Sequence, residues 1–165
     1  ELGAQNNIKE IFFFNISSRF YESIEDYKPT SIYKDIAKSL LPDNWYIFKD
    51  RIFYNCTFSD FNYPLQGWKI HISSTNKDSS RILKKVVGVC IENSTPFKFI
   101  CDSFLLGIVS DKHWLRGSSN KFITIYPSDE ESFKKIINQL YEELKGFNGP
   151  YILSDKRYKD CKVLY

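Results

Sequence analysis

Histidine and methionine are the residues this chain has least of. It contains two histidines, His71 and His113, and no methionine at all. Any site that needs an imidazole therefore has only two candidates. Long apolar runs are also missing near the N-terminus, where the longest is Ile11–Phe14. That run is far too short for a membrane-spanning helix of roughly 20 residues or for the core of a signal peptide, and we expect no membrane partner.

Cysteine occurs without the patterns that indicate metal binding. The four cysteines are Cys56, Cys90, Cys101 and Cys161. None forms a Cys-x-x-Cys pair, and none lies at zinc-ligand spacing from a histidine, so the sequence predicts no metal site. Reduced, buried thiols in a cytoplasmic protein are the ordinary interpretation of such cysteines.

Excess charge of one sign is nearly absent. Lysine and arginine number 23 and the acidic residues 20, which leaves a formal net charge of +3. This surplus is too small to indicate nucleic-acid binding by itself. Aromatic residues make up 17% of the chain, and aromatic and basic residues together are typical of single-strand binders. Most of these aromatics, however, alternate or recur at helical spacing as core residues do, so we expect no nucleic-acid partner.

The length of 165 residues is typical of a single domain. Hydrophobic residues make up 42% of the chain and charged residues 26%, which argues against disorder. A chain of this size buries roughly 70% of its unfolded surface and can fold without disulfides or metals. Because no methionine begins the chain and it ends in the apolar stretch Val163–Tyr165, we expect a processed product or a piece cut from a larger protein near a domain edge.

Three helices are predicted, of which the segment from Ser128 to Lys145 is the clearest. Ser128 and Glu131 form a capping box, and apolar residues recur at helical spacing up to Gly146. A second helix is predicted over 78–91. A third is predicted over 31–41, with an inward stripe formed by Ile32, Ile36 and Leu40.

Strand patterns fill most of the remaining chain, with turn-forming residues between them. They cover Trp45–Lys49, Arg51–Cys56, Trp68–Ser73, Pro96–Ile100, Lys121–Tyr126, Tyr151–Ser154 and Lys162–Tyr165. Several neighbouring strands have no helix between them. The pattern therefore predicts a single α+β domain with a largely antiparallel sheet and about three main helices.

One predicted strand carries a lysine and a histidine on the same face. In the strand that begins at Trp68, alternation places Lys69 and His71 on one side and Trp68, Ile70 and Ile72 on the other. Residues two apart in a strand lie about 6.6–6.8 Å from one another. A solvated strand face is the common meaning of such a pattern, so this observation gains weight only beside others.

A second strand places Lys98 between Phe97 and Phe99, on the face opposite to both rings. Burial or neighbouring cations on that face would lower the pKa of Lys98 and let it act as a base near neutral pH. A solvated lysine on an amphipathic strand is the alternative.

Two further clusters of polar residues look suited to an anion. The loop over 114–121 contains Arg116, Lys121 and small residues whose backbone N–H groups can approach phosphate. The segment over 154–158 contains Asp155, Arg157 and Tyr158. Each cluster alone is typical of a plain surface. Together, in a chain of such low net charge, they indicate that cations gather where an anion binds.

Motifs of metal- and nucleotide-dependent enzymes are missing. There is no HExxH, GxSxG, P-loop or GxGxxG motif and no paired carboxylates. ATP-dependent transfer is disfavoured because no motif would hold a magnesium nucleotide. Lysine and histidine remain for proton transfer, with arginine and lysine to hold anions. This set favours chemistry on a phosphorylated substrate without a metal ion or other cofactor.

Five segments carry a resemblance to a known family. They are RFYES at 19–23, QGWKIHIS at 66–73, PFKF at 96–99, KFITIYP at 121–127 and GPYILSD at 149–155. In this order, and over nearly the whole chain, they resemble the N-terminal lyase domain of class III lanthipeptide synthetases. The chain is more distantly similar to the bacterial effector phosphothreonine lyases, which share a Lys-x-His strand motif and a downstream lysine.

The resemblance implies a fold like that of the effector lyases and a place within a larger enzyme. Residues 1–165 would be the lyase domain, with a kinase domain and a cyclase domain in the same synthetase. The kinase would phosphorylate serine or threonine in a precursor peptide. The lyase would then eliminate phosphate to give dehydroalanine or dehydrobutyrine, and the cyclase would add cysteine thiols to the products.

The resemblance also implies roles for individual residues. Lys98 would remove the α-proton, His71 would protonate the leaving phosphate, and Lys69 would stabilise developing negative charge. The phosphate would be held by Arg116, Lys121 and Arg157, and the orienting groups would be Asp155 and Tyr158. His113 matches no family motif, and we expect it to be non-catalytic.

A rival hypothesis is a non-catalytic module that binds a phosphopeptide or a leader peptide through the same cations. Such a module would not need the set formed by Lys69, His71 and Lys98. The aromatic segment around Phe12–Phe20 is a second candidate docking surface for a peptide or neighbouring domain, although core packing is the ordinary role of such a segment.

Overall fold

The computed structural model describes residues 27–61, 63, 66–111 and 114–165. The motif at 19–23, the aromatic segment Phe12–Phe20 and His113 lie outside the described residues. Within the described part, no helix combines the length and the apolar character needed to cross a bilayer.

Five strands form one sheet in which all neighbouring strands are antiparallel. The order across the sheet is β1-β2-β4-β5-β3. The strands are β1 (Trp45–Asp50), β2 (Phe53–Phe58), β3 (Ile70–Ile72), β4 (Phe97–Ile100) and β5 (Ile123–Ile125). The predicted strands at these places and the largely antiparallel α+β architecture are confirmed.

Four helices occur among the described residues. They are α1 (Ile32–Leu40), α2 (Ser79–Glu92), α3 (Ser103–Val109) and α4 (Glu130–Leu144). The three predicted helices correspond to α1, α2 and α4, and their ends agree within two residues. The sequence reading missed α3, which is too short to show a full apolar stripe. Its N-cap is Asp102, whose side chain accepts a hydrogen bond from the Leu105 backbone N–H at 2.9 Å.

The hydrophobic core lies against one face of the sheet. Alternate residues of β3, β4 and β5 are almost fully buried there, namely Ile70, Ile72, Phe97, Phe99, Ile123 and Ile125. They join the buried residues of α2 and α4 in one cluster. Burial of a large apolar side chain contributes about 1.5–3 kcal/mol. The opposite face of β3, β4 and β5 is thereby left to the intervening residues, which are polar.

Two local predictions about the helices are wrong. The N-cap of α4 is Asp129, which accepts a hydrogen bond from the Ser132 backbone N–H, so Ser128 and Glu131 do not form the predicted capping box. A carboxylate one residue further along reaches the same helix end as the serine would.

In α1 the buried residues are Tyr33 and Ala37, whereas Ile32 and Leu40 are exposed. The physical reason is that the Tyr33 side chain makes two contacts with buried residues. Its ring packs edge-on against Phe122, and its hydroxyl donates to Ser79 Oγ at the start of α2 at 2.6 Å. These contacts turn the helix so that the predicted aliphatic stripe faces partly outward.

The C-terminal segment departs from the predicted strands in two ways. Residues 151–154 form no strand, and only Ile152 among them is buried. Residues 162–165 form a single antiparallel bridge, between Leu164 and Ile72. The backbones of His71 and Tyr165 also exchange two hydrogen bonds, of 2.8 and 2.9 Å. The chain end therefore extends the sheet beyond β3.

Candidate active site

The sheet register places His71 and Lys98 on the same face. Thr124 of β5 pairs with Lys98 of β4 on one side and with His71 of β3 on the other. Residues directly opposite one another in antiparallel strands point to the same face, and neighbouring strands lie about 4.7–4.9 Å apart. The Cα atoms of His71 and Lys98 are therefore separated by roughly 10 Å. This face is the one opposite to the core.

His71 contacts a carboxylate that comes from a distant part of the sequence. Its Nδ1 atom lies 2.6 Å from Asp155 Oδ2, and the two side chains are only 14% and 19% exposed. The other carboxylate oxygen, Oδ1, lies 3.2 Å from Lys121 Nζ and accepts a hydrogen bond from the Ser154 hydroxyl. A carboxylate accepts, so Nδ1 donates the proton in this contact. Nε2 is thereby left as the proton-transfer nitrogen of the ring.

The environment of His71 favours a neutral ring. The pKa of His71 is lowered from 6.5 to about 4, mainly by burial and then by the charges of Lys121 and Lys69, while Asp155 acts in the opposite direction. Burial also acts to raise the pKa of Asp155, but the hydrogen bond from Ser154 and the nearby cations outweigh it and leave that pKa below its usual value. At neutral pH the site therefore holds an ionised aspartate beside a neutral histidine.

The surroundings of Lys98 also lower its pKa and so increase the fraction of neutral amine. Burial and, second, the charge of Lys69 lower the pKa of Lys98 below its ordinary value, and Asp50 only partly opposes them. The ammonium lies 4.3 Å from the ring centroid of Phe53. A lysine with a lowered pKa has a larger fraction of free amine near neutral pH, as a general base requires.

The charge of Lys69 acts on both proton-transfer candidates, His71 and Lys98. Lys69 lies two residues before His71, and its positive charge lowers the pKa of both His71 and Lys98. Its side chain is exposed, with Nζ 5.9 Å from the ring centroid of Tyr126. An exposed cation at this position is available to an anionic ligand.

A cavity of about 610 Å³ opens beside His71. Its polar wall includes His71, Lys69, Asp155 and Arg157. The guanidinium of Arg157 lies 4.6 Å from the ring centroid of Tyr151, and its Nη2 donates to the Tyr165 hydroxyl at 3.4 Å. Its Nε is buried and has no hydrogen-bond partner among the described residues. The cavity thus combines cations with a buried N–H donor, Arg157 Nε, that has no acceptor among the described residues.

Three of the predicted site residues, Lys98, Lys121 and Arg116, are not among the residues that line this cavity. Arg116 is exposed on the loop over 114–121. That loop nevertheless contacts the segment of Asp155, since Asn120 donates to the Tyr151 carbonyl at 2.9 Å. Tyr158 lines the cavity, but its hydroxyl donates to Asn138 of α4 at 2.7 Å. Its orienting role therefore stays a prediction.

Trp68 and Tyr165 belong to the cavity but were missed by the sequence reading of the site. Trp68 was predicted to share a strand face with Ile70 and Ile72, which are fully buried, and this prediction is wrong. Its side chain is 52% exposed and stacks on Phe133 of α4, with ring centroids 4.8 Å apart. Strand β3 begins only at Ile70, so strand alternation no longer fixes the direction of Trp68. For Tyr165, no sequence pattern indicates a contact with Arg157.

The described residues contain no cluster of three or more His, Cys, Asp or Glu side chains that could hold a metal ion. The groups that converge on the candidate site are instead cationic or proton-transferring. With the single carboxylate of Asp155 already bound to His71 and Lys121, the arrangement can hold an anion and exchange protons with it.

The same fold occurs in solved structures of bacterial effectors. The type III effector and phosphothreonine lyase OspF from Shigella flexneri is 21% identical, with a TM-score of 0.60 over 98% of this chain and 88% of that protein. The Salmonella plasmid virulence C protein SpvC is 16% identical, with a TM-score of 0.56 over 99% and 83%. At these identities the likeness shows the fold, and it confirms the fold that the sequence motifs implied.

A curated relative is more similar in sequence. The probable SapB synthase of Streptomyces coelicolor is 36% identical over 127 residues, which cover 77% of this chain and 14% of the relative. The chain thus matches a small part of a much longer protein. Residues 33–165 also match a family model described as RamC, N-terminal domain. The chain therefore belongs to the family of RamC N-terminal domains.

Proposed function

We propose that this chain is a lyase that eliminates phosphate from phosphoserine or phosphothreonine in a precursor peptide. The product would be dehydroalanine or dehydrobutyrine, formed without a metal ion or cofactor during lanthipeptide biosynthesis. One observation carries the proposal. A lysine with a lowered pKa and a histidine bound to a carboxylate lie two strands apart on one face, and the histidine lines a cationic cavity.

Lys98 is the base in this mechanism. Its neutral amine takes the α-proton of the phosphorylated residue, and the electron pair of the C–H bond forms the Cα=Cβ double bond. The Cβ–O bond breaks at the same time, and its electrons leave with the phosphate. Lys69 stabilises the negative charge that develops on the carbonyl or on the phosphate. General acid–base assistance of this kind contributes about 10²–10⁴-fold per group.

His71 is the acid that protonates the leaving phosphate. With a pKa of about 4 it is neutral before substrate binds. A phosphate dianion beside the ring raises that pKa, because an opposite charge favours the protonated form. The hydrogen bond to Asp155 orients the ring and supports the imidazolium when it forms. Lys121, Arg157 and Arg116 hold phosphate oxygens, with Lys121 shared between the phosphate and Asp155.

The reaction needs partners before and after it. A kinase domain would supply the phosphorylated peptide, and a cyclase domain would consume the dehydro residue by adding a thiol. We propose that both domains belong to the same synthetase, which accords with the small share of the curated relative that this chain matches. A cytoplasmic location is part of the proposal and accords with the four cysteines, all of which are buried free thiols.

The test is incubation of the chain with a phosphoserine peptide in the presence of EDTA and without ATP, followed by mass spectrometry. Elimination gives a peptide that is lighter than the unphosphorylated peptide by one water. Regeneration of serine by hydrolysis would contradict the proposal. Tight binding of the phosphopeptide with no loss of phosphate would instead support the non-catalytic binding module.

A further inference from the structure

Trp68 is an exposed tryptophan at the rim of the cavity that contains His71. Its indole stacks on Phe133 with an interplanar angle of 29°, and the residue remains 52% exposed. Tryptophan supplies a large, rigid apolar surface, and an exposed one beside a cleft is typical of a binding site.

The cavity is lined by two chemically different sets of side chains. Lys69, His71 and Arg157 are cationic or polar. The apolar side chains among the lining residues include Trp68, Phe133 and Ile137, of which Trp68 stacks on Phe133 and Ile137 lies one turn further along α4. Because both sets line one cavity, a ligand held by its phosphate on the cationic side chains extends toward the apolar ones.

We propose that Trp68 and Phe133 form a subsite for an apolar side chain of the peptide, two or three residues away from the phosphorylated one. This inference rests on the proposed function. Trp68 lies three residues before His71, so at most about 10 Å of extended chain separates their Cα atoms. A peptide in extended conformation covers this distance in two or three residues. An aliphatic or aromatic side chain at that position would bury both its own surface and the exposed surface of the indole.

Tyr46 provides a matched control for the effect of an exposed aromatic ring. It is 49% exposed, and it stacks on Phe48 with ring centroids 6.2 Å apart, as Trp68 stacks on Phe133. It lies on β1, at the opposite edge of the sheet from β3, and outside the cavity of His71. Its removal therefore takes away similar exposed area without changing the proposed subsite.

The experiment compares phosphoserine peptides in a glycine–serine background that carry a single leucine at position −3, −2, +2 or +3, or none. Binding is measured by fluorescence anisotropy, and elimination by mass spectrometry. We expect the wild-type chain to bind one of the leucine peptides about tenfold more tightly than the peptide without leucine, which corresponds to about 1.4 kcal/mol. In Trp68→Ala this ratio should fall to about one, whereas Trp68→Phe should keep part of it and Tyr46→Ala all of it.

Two results would overturn the inference. One is a wild-type chain that binds all five peptides equally or binds none, and the other is an unchanged leucine preference in Trp68→Ala. The binding ratio is independent of turnover, so it tests the subsite even if no peptide loses phosphate. A leucine preference without elimination would refute the lyase proposal alone, and elimination without a preference would refute the subsite alone.

Discussion

His71 and Asp155 are 84 residues apart in the sequence, yet Nδ1 of the histidine lies 2.6 Å from Oδ2 of the aspartate. The aspartate reaches this position because the chain end pairs with β3 through the backbones of His71 and Tyr165. The segment just before that chain end carries Asp155 back over the polar face of the sheet. The ring of the proposed acid is therefore oriented by the last part of the fold.

The first prediction concerns this contact. In Asp155→Asn the pKa of His71 should fall further, because the carboxylate is the neighbour that raises it. We expect kcat for elimination to fall by about tenfold or more, with a smaller change in KM, since the imidazolium is stabilised mainly in the transition state. Steady-state kinetics and the ¹⁵N chemical shifts of His71 measure the two effects. In Asp160→Asn, which alters an exposed carboxylate bound to Tyr141, both should stay as in the wild type.

The second prediction concerns the proposed base. Lys98→Arg keeps the positive charge but cannot supply a neutral amine, because arginine stays protonated in proteins. We expect elimination to be lost while phosphopeptide binding is retained. In the wild type, kcat should follow a bell-shaped pH profile, because elimination needs Lys98 as the free amine and His71 as the imidazolium, and the pKa that belongs to Lys98 should lie below the ordinary lysine value of 10.5. Lys84→Arg, on the exposed side of α2, serves as the control. Full activity in Lys98→Arg would show that Lys98 is not the base.

The polar face of the sheet could be predicted from the sequence because strand alternation is local. The pattern Ile70-His71-Ile72 and the pattern Phe97-Lys98-Phe99 each direct one polar residue away from the core, and the observed burial agrees. That the two strands flank β5, which brings His71 and Lys98 opposite the same residue, is a property of the sheet order. Local alternation does not determine that order.

Other parts of the site depend on contacts that no local pattern contains. Asp155 follows a stretch that looks like a strand but pairs with nothing in the sheet, and its contact with His71 is purely tertiary. Trp68 lies two residues before the start of β3, where strand alternation no longer applies. The resemblance implied an orienting role for Asp155, but its contact with His71 and the stacking of Trp68 on Phe133 depend on how the C-terminal segment and α4 lie against β3.

The third prediction is a dependence of stability on pH. The pKa of His71 is about 4 in the folded chain and near 6.5 in a solvated, unfolded one. Between these values the unfolded state binds the proton more tightly, so the contribution of His71 is present above about pH 6.5 and is lost as the pH falls toward 4. The shift corresponds to a loss of about 3 kcal/mol in the free energy of unfolding.

Urea denaturation of the wild type and of His71→Asn at pH 7 and at pH 4.5 measures this contribution. The variant should lose less stability than the wild type over this interval. Inorganic phosphate should reduce the acid sensitivity of the wild type, because it favours the protonated ring in the folded state. An equal loss of stability in both proteins would show that His71 is not the group responsible.

The fourth prediction concerns the start of the segment that carries Asp155. A Cβ atom on Gly149 would lie 2.7 Å from Ser73 Oγ and 2.9 Å from Val163 Cγ1, both within a buried region that joins β3 to the chain end. The serine hydroxyl can rotate, but the valine is fully buried, so Gly149→Ala should lower the free energy of unfolding by about 1–3 kcal/mol. The same displacement should shift Asp155 relative to His71 and reduce kcat.

Gly88→Ala on the exposed side of α2, where a Cβ meets nothing within 4 Å, should instead stabilise the chain by up to about 1 kcal/mol and leave kcat unchanged. Urea denaturation and steady-state kinetics on both variants give the two comparisons, and a Gly149→Ala protein with wild-type stability and kcat would contradict the close packing of this segment.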